Sequence, residues 1–301
     1  MAHGIADDML STTVLACRCK KLVAPAMNTN MYENPITQDN LETLRRYGFG
    51  IIDPAVGMLA CKDVGAGKLP KEELLYNHIL QEILYPKDLA GKKVLVTAGP
   101  TCEPVDPVRI YTNRSSGKMG YALARECSLR GADVTLVTGK TALEPWPFVK
   151  VVPIETAQQM FDEVTSRAPE MDIIIKAAAV ADYRPKTVAD QKLKKGDGEF
   201  TLAFERTQDI LKTLGERKPQ GQFLCGFSME TERMLENSQA KLTKKNADMI
   251  VANNLKVAGA GFAGDTNVVT IITRDAVKEL PLMSKQEVAH QIVSEIVSRL
   301  G

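Results

Sequence analysis

The stretch KKVLVTAGPT, residues 92–101, is a continuous apolar run that ends in Gly99 and Pro100. A run of this kind, closed by turn residues, is typical of a strand that is buried on both faces of a parallel sheet. After a loop, residues 119–127 place apolar side chains at the spacing of one helix face. We therefore predict a buried strand followed by a crossover helix.

The same alternation continues to the end of the chain. Further strands are predicted at 132–139, 149–154, 171–178, 221–231 and 246–254, and a late antiparallel hairpin at 267–275 and 277–282. A last helix begins at a predicted capping box from Ser284 to Glu287. The predicted fold class is α/β, with a doubly wound, Rossmann-like, mostly parallel sheet that ends in the hairpin. Ligands of such sheets bind beyond the carboxyl ends of the strands.

The composition excludes several classes of function. The 301 residues carry 38 basic and 37 acidic side chains, so net charge gives no sign of a nucleic-acid or membrane partner. The six cysteines are scattered without a CxxC pair, which argues against zinc and against a disulfide framework. We see no secretory signal and no apolar run of transmembrane length. We therefore expect a soluble, cytoplasmic protein with reduced thiols.

One glycine motif resembles a dinucleotide-binding fingerprint but is not expected to bind a dinucleotide. Gly259, Gly261 and Gly264 match GxGxxG, but a β-rich run follows them instead of a helix. Without a helix N-terminus there is no dipole to receive a pyrophosphate. A glycine-rich flap is the favoured interpretation.

The loop YTNRSSGKMGYALARE, residues 111–126, matches neither the P-loop nor the dinucleotide fingerprint. Ser115, Ser116 and Gly117 stand at the predicted start of a helix. Serines in this place can cap the helix, and its first N–H groups favour an anion. Local sequence leaves both interpretations open.

A family resemblance becomes specific when separated motifs are read together. Five of them, at 94–120, 177–185, 192–195, 226–232 and 244–254, resemble bacterial phosphopantothenate–cysteine ligase, an enzyme of coenzyme A biosynthesis. Residues 25–35 and 57–69 resemble the back part of phosphopantothenoylcysteine decarboxylase, which many bacteria fuse ahead of the ligase. The resemblance implies a ligase domain at 86–301 and the C-terminal part of a flavodoxin-like decarboxylase domain at 1–85. The FMN-binding front half is expected to be missing, so FMN is expected only in the full-length bifunctional enzyme.

The resemblance implies a reaction and its ligands. The carboxylate of 4′-phosphopantothenate attacks CTP to give an acyl-cytidylate, and cysteine then displaces CMP. Mg²⁺ is expected with the triphosphate, although no dedicated protein cage for it is visible. A homodimer of the ligase domain is implied, with the late hairpin as a possible contact. No residue pattern distinguishes CTP from ATP.

Residue roles follow from the same resemblance. Asn113 would hold the acyl intermediate, and Lys192 would contact the nucleotide phosphates during its formation. Asn253 and the Ser115, Ser116 and Gly117 turn would contact substrate, the turn through a phosphate of the nucleotide or of phosphopantothenate. The resemblance also implies a set of residues that contact the nucleotide: Ala178, Ala179, Asp182, Lys192, Thr207, Gln208, Asp209, Ile210, Phe227, Lys241 and Lys245. Within this set, Thr207 and Gln208 depart from the family pattern.

The first 85 residues carry two candidates for the decarboxylase reaction. Asn28 matches the residue that holds the substrate carboxylate, and Cys61 matches the cysteine that protonates the product enethiolate. Both are expected to need the missing half. Two other functions remain open, a nicotinamide oxidoreductase on a similar sheet and a non-catalytic relative that keeps the fold.

Overall fold

The apolar run at 92–101 contributes the strand Lys93–Ala98 to an eight-stranded sheet. The computed structural model describes residues 1–59, 64–194, 200–230, 233–254 and 264–300. The chain divides into two units, Met1–Tyr85 and Pro86–Gly301, and the large sheet belongs to the second.

The first unit combines short strands with helices. Its helices are α1 (Met9–Ala16), α2 (Thr29–Tyr32), α3 (Pro35–Arg46) and α4 (Glu72–Ile83). Its strands are β1 (Lys21–Val23), β2 (Phe49–Ile51), β3 (Ala55–Met58) and β4 (Val64–Lys68). Strands β1 and β2 pair in parallel, whereas β3 and β4 pair antiparallel.

The second unit alternates strands and helices, as the sequence pattern predicts. Its strands are β5 (Lys93–Ala98), β6 (Cys102–Pro104), β7 (Ile110–Thr112), β8 (Asp133–Thr138), β9 (Lys150–Pro153), β10 (Ile173–Lys176), β11 (Tyr183–Pro185), β12 (Phe204–Arg206), β13 (Phe223–Glu230), β14 (Met249–Asn254), β15 (Thr266–Asn267), β16 (Val269–Thr273), β17 (Val277–Glu279) and β18 (Met283–Ser284). Its helices are α5 (Lys118–Leu129), α6 (Ala157–Arg167), α7 (Ile210–Arg217), α8 (Met234–Lys244) and α9 (Lys285–Ser298), with a 3₁₀ turn at Ala168–Glu170.

The strand order of the large sheet is β9-β8-β5-β10-β13-β14-β16-β17. The pairs from β9 to β14 are parallel, and β16 and β17 add antiparallel. Numbered along the parallel part, this is the 3-2-1-4-5-6 order of the doubly wound fold, whose direction reverses between β5 and β10. The predicted fold class and the late hairpin are both confirmed.

Alternation along β5 explains why helices cover both faces of the sheet. Val94 and Val96 point into one core with α5 and α9, whereas Leu95 points into another core with residues of α6, α7 and α8. All three valine and leucine side chains are fully buried. Helix α9 starts at the predicted capping box, in which Ser284 and Glu287 each accept the other's backbone N–H.

The loops after β5 and β10 are joined by backbone hydrogen bonds at the point where the strand order reverses. The Ala179 N–H donates to the Gly99 carbonyl over 2.9 Å, and the Thr101 N–H donates to the Ala179 carbonyl over 3.2 Å. Gly139, which follows β8, closes the arrangement from the side, since a Cβ there would lie 1.8 Å from the Pro100 carbonyl oxygen. This point is where the fold class places ligands.

Replacing Gly139 by alanine is expected to lower the free energy of unfolding of the second unit by about 3 kcal/mol, because the new methyl group overpacks against backbone that cannot swing away. Gly91→Ala is the matched control. Gly91 has a positive φ of 77°, a backbone strain that Gly139 does not share, and its Cβ would meet nothing within 4 Å. The control is expected to lose about 1 kcal/mol from backbone strain alone. Thermal denaturation compares the two, and equal melting temperatures would contradict the packing argument.

Candidate active site

Two adjoining cavities lie beyond the carboxyl ends of the sheet strands. The first has a volume of about 620 Å³ and is lined from the end of β10, the start of α7 and the end of α8. The second, of about 370 Å³, is lined from the start of α5, the loop after β10 and the ends of β13 and β14. They share one wall, which is formed by Ala178, Val180, Asp182, Phe227 and Lys241.

The second cavity contains the turn that the sequence singles out. Ser115, Ser116 and Gly117 all line it, directly ahead of α5. The N-cap of α5 is Gly117 with a left-handed φ of 80°, and the Ser115 hydroxyl accepts the Gly117 N–H over 3.3 Å. The N-cap position is therefore occupied by Gly117 and by neither serine. Glycine is required there because a Cβ would lie 2.7 Å from the Thr141 methyl group.

Asn113 is half-buried in the wall of the second cavity. Its side-chain amide donates to the Ala179 carbonyl over 3.2 Å, which ties the β7–α5 loop to the loop after β10. Ala179 also lines this cavity. An amide held in this way presents a polar group without a titrating charge.

The far side of the second cavity contains residues that sequence reasoning missed. Asn267 donates to the Asn253 side-chain oxygen over 3.1 Å, so the predicted Asn253 has a partner from β15. Lys118 and Lys285 bring two cations to the same cavity. Lys285 is buried, which lowers the pKa of its amine, and the nearby charge of Lys118 lowers it further. We call Lys118 and Lys285 the positive end of the second cavity; Asp265 pairs with Lys118 over 2.6 Å and offsets part of this charge.

The start of α7 forms the floor of the first cavity. Thr207, Gln208, Asp209 and Ile210, all predicted from the resemblance, line it together. The Thr207 hydroxyl donates to the Ala181 carbonyl over 2.6 Å and thus fixes this turn to the loop after β10. The departure of Thr207 from the family pattern therefore has a structural role, since its side chain anchors the turn.

Asp209 and Lys245 form an ion pair at this floor. Asp209 caps α7 by accepting the Lys212 N–H over 2.9 Å. Burial opposes the charged carboxylate, but the hydrogen bonds from Lys245 and from the Lys212 N–H hold the pKa of Asp209 below its usual range. Asp209 thus stays ionised and has partners already.

Positive charge dominates the lining of the first cavity. Its acidic residues are Asp182 and Asp209, whereas its basic residues are Lys176, Arg206, Lys212, Lys241, Lys244 and Lys245. Lys241 also donates to the Phe227 carbonyl over 3.1 Å, which holds its amine at the shared wall. A concave surface with this charge suits a multiply charged anion. Lys176 was not predicted, because it ends the apolar run IIIK without a recognisable motif.

The predicted Lys192 is not brought to either cavity. It is exposed, on a loop held by its neighbour Leu193. The Leu193 N–H donates to Asp106 over 3.1 Å, and the Leu193 carbonyl accepts from Arg109 over 3.1 Å. The contact of Lys192 with nucleotide phosphates stays a prediction.

Asp182 is the exposed carboxylate of the shared wall. Mg²⁺ in nucleotide sites is commonly bound by one or two carboxylates together with substrate phosphates, and Asp182 fits that pattern. Within the described ranges, no cluster of three or more His, Cys, Asp or Glu side chains could hold a metal ion by itself.

Of the remaining predicted positions, Asn28 is described and Cys61 is not. In the first unit, Asn28 is the N-cap of α2 and accepts the Asn30 N–H over 2.9 Å. Cys61 lies outside the described residues, as do Gly259 and Gly261 of the glycine motif.

The described part of the chain also contains no helix that is long and apolar enough to cross a membrane.

Two protein-family models match the chain, one within each unit. A family model described as the DNA/pantothenate metabolism flavoprotein C-terminal domain matches residues 89–300. A second model, described as flavoprotein, matches residues 1–84.

Curated relatives extend over the whole chain. The coenzyme A biosynthesis bifunctional protein CoaBC of Bacillus subtilis is 47% identical over 304 residues, covering 99% of this chain and 74% of that protein. CoaBC of Vibrio vulnificus is 42% identical and covers 100% of this chain and 75% of its own length. A cysteine/cysteine sulfinic acid decarboxylase from an unknown prokaryotic organism is 41% identical over 99% of this chain and 85% of its own length.

Solved structures match the fold. The crystal structure of the C-terminal domain of CoaBC has a TM-score of 0.61 and 46% identity, covering 71% of this chain and 98% of that chain. A DNA/pantothenate metabolism flavoprotein from Streptococcus pneumoniae has a TM-score of 0.61 at 24% identity, which is a likeness of fold alone.

Proposed function

This chain belongs to the family of bifunctional coenzyme A biosynthesis proteins and has a role in that biosynthesis. We propose that its second unit joins 4′-phosphopantothenate to cysteine in a reaction that consumes CTP. The carboxylate attacks the α-phosphate of CTP, so that pyrophosphate leaves and an acyl-cytidylate forms. The cysteine amine then attacks the acyl carbon, and CMP leaves. The product is phosphopantothenoylcysteine.

The observation that carries this proposal is the wall shared by the two cavities. Activation requires the acyl donor and the nucleotide to meet, which two separated pockets would not allow. Here Ala178, Asp182 and Phe227 face both spaces. The reacting carboxylate and the α-phosphate are proposed to meet at this wall.

The charge of each cavity supports a proposed ligand for it. The first cavity, with its six basic residues, is proposed to hold the triphosphate. The second is proposed to hold phosphopantothenate, with its phosphate near the positive end at Lys118 and Lys285 and its carboxylate near Asn113. Asn113 would donate to the acyl oxygen of the intermediate, and Asp182 would bind Mg²⁺ together with the triphosphate.

The decarboxylase activity is proposed only for a chain that also holds FMN. Asn28 and Cys61 would act there on the substrate carboxylate and the product thiolate. The expectation that the FMN-binding half is missing is not confirmed, since the chain spans about three quarters of the length of its bifunctional relatives.

The proposal is tested by pyrophosphate release with CTP, phosphopantothenate and cysteine. Turnover is expected only when all three are present, and ATP in place of CTP measures the choice of base. A folded sample that releases no pyrophosphate with either nucleotide would refute the ligase. Because one relative bears the name cysteine/cysteine sulfinic acid decarboxylase, CO₂ release from free cysteine is measured in the same samples.

We also propose a homodimer of the second unit, through its exposed aromatic strands instead of the late hairpin. Tyr111 of β7 and Phe204 of β12 form an edge-on ring pair with centroids 5.0 Å apart, and they are 43% and 39% exposed. β17 instead exposes Val277 beside the charged Lys278 and Glu279. Burying aromatic rings is the stronger drive for association.

Tyr111→Arg is expected to convert the dimer, at about twice 32.9 kDa, into a monomer of 32.9 kDa, because the charge disrupts an apolar interface. Multi-angle light scattering measures the mass. Val277→Arg on the hairpin is the matched control and is expected to stay dimeric. The reverse result would assign the interface to the hairpin, and a monomeric wild type would refute the dimer.

A further inference from the structure

Lys176 is a buried cation at the end of an isoleucine strand. It closes β10 after Ile173, Ile174 and Ile175, and in the sheet it stands between Thr97 of β5 and Gly226 of β13. Only 8% of the residue is exposed. Buried ammonium groups are rare unless another group pairs with them, so this position requires an explanation.

No hydrogen bond to the Lys176 amine is found in the part of the chain that the structure describes. The opposite charge that acts on Lys176 is Asp209, which is already paired with Lys245 and with the Lys212 N–H. Lys241 acts in the other direction, by repulsion. The protein therefore places an amine in its interior without giving it a partner of its own.

The side of Lys176 that is not covered by protein faces the first cavity. The carboxylates of this cavity are Asp182 and Asp209. Its other cations are Arg206, Lys212, Lys241, Lys244 and Lys245. A ligand that enters this cavity meets Lys176 at the carboxyl end of β10. Around the ligand, basic residues outnumber acidic ones.

We propose that Lys176 binds a phosphate oxygen of the nucleotide in the first cavity, and that its amine takes up one proton from solvent as the nucleotide binds. The inference rests on the proposed function, of which it names a further binding residue. No bond other than the N–H forms, and the incoming anion supplies the partner that the free protein lacks.

Burial explains why a proton moves. It lowers the pKa of Lys176 to about 7, with Lys241 acting in the same direction and Asp209 opposing. At pH 8 most of the amine is therefore neutral in the free protein. A phosphate next to it favours the charged form and raises the pKa in the complex. Binding then draws in a proton at pH values above 7 and below the pKa of the complex.

The test is calorimetric titration of the whole chain with CTP and Mg²⁺ between pH 7.5 and 9, in buffers of different ionisation enthalpy. Phosphate groups have a second pKa of about 6, so the ligand itself does not titrate in this window. Wild type is expected to take up nearly one proton per nucleotide at pH 8. Its Kd is expected to rise by up to about tenfold per pH unit.

Two variants separate this role from a structural one. Lys176→Met is expected to lose the proton uptake and its pH dependence and to bind CTP about tenfold more weakly at pH 7.5. Lys176→Arg keeps a permanent charge, so it is expected to bind without proton uptake. Lys278→Met on β17, outside both cavities, is the control and is expected to match wild type.

Tripolyphosphate serves as a second probe, because it presents a triphosphate without a base; since its own last proton titrates in this window, its proton uptake is taken as the difference between wild type and Lys176→Met. If wild type binds tripolyphosphate with proton uptake but does not bind CTP, the role of Lys176 stands and the proposed function fails. If Lys176→Met keeps the Kd and the proton uptake of wild type for a ligand that binds, the inference is overturned. It is also overturned if neither probe binds.

Discussion

Asn113→Asp is expected to lower the rate of acyl-cytidylate formation by about 10²- to 10³-fold, the usual cost of losing one donor to a developing charge. The wild-type amide donates to the Ala179 carbonyl over 3.2 Å. A carboxylate of the same shape cannot donate, so it repels that carbonyl and also the phosphopantothenate proposed to bind in the same cavity. Nucleotide affinity should change by less than about threefold, because the first cavity is untouched. Single-turnover pyrophosphate release and calorimetric titration with CTP measure the two effects.

The control for this variant is Asn34→Asp in the first unit. Asn34 caps α3 by accepting the Ile36 N–H, and aspartate caps equally well. The control is expected to keep the wild-type rate. A decrease of less than threefold in Asn113→Asp would show that Asn113 does not act on the intermediate. A parallel loss of CTP binding would show that it acts on the nucleotide instead.

Lys241→Met is expected to show the opposite pattern. The Lys241 amine is fixed at the shared wall by the Phe227 carbonyl, over 3.1 Å. Removing a charged hydrogen-bond donor costs about 1.5–3 kcal/mol, so the Kd for CTP should rise by about 10- to 100-fold. At saturating CTP the rate should stay within about threefold of wild type, because ground-state and transition-state binding are lost alike. Calorimetric and steady-state measurements give Kd, KM and kcat.

Lys241→Met is also expected to change the pKa of the buried Lys176. Because Lys241 lowers the pKa of Lys176, its removal should raise that pKa and reduce the proton uptake on CTP binding at pH 8. Lys278→Met, which removes a cation outside both cavities, is again the control. An unchanged Kd for CTP in Lys241→Met would place the triphosphate away from the shared wall and contradict the assignment of ligands to cavities.

The sheet was predictable because its strands are apolar on both faces. Runs such as VLV at 94–96 and III at 173–175, bounded by turn residues or followed by small ones, are typical of strands buried in a parallel sheet. The alternation with amphipathic helices then gave the fold class. The resemblance supplied the predicted residues of both cavities, which the fold brings together from loops far apart in sequence.

The residues that were missed belong to no motif. Lys176 reads as the end of an apolar strand, and its importance comes from burial beside α7, which is not visible in one sequence. Asn267 and Lys285 reach the second cavity only because the chain returns there after the late strands. Lys192 shows the converse, since a motif marks it but the described loop does not bring it to either cavity.

The two-step activation is tested by a reaction from which cysteine is omitted. The chain is mixed with CTP, Mg²⁺ and 4′-phosphopantothenate, and pyrophosphate and nucleotides are followed in a single turnover. We expect about one equivalent of pyrophosphate per site and an acyl-cytidylate that persists until cysteine is added, when CMP appears. If no pyrophosphate forms until cysteine is present, or if cysteine releases no CMP, the two adjoining cavities do not carry out the proposed activation.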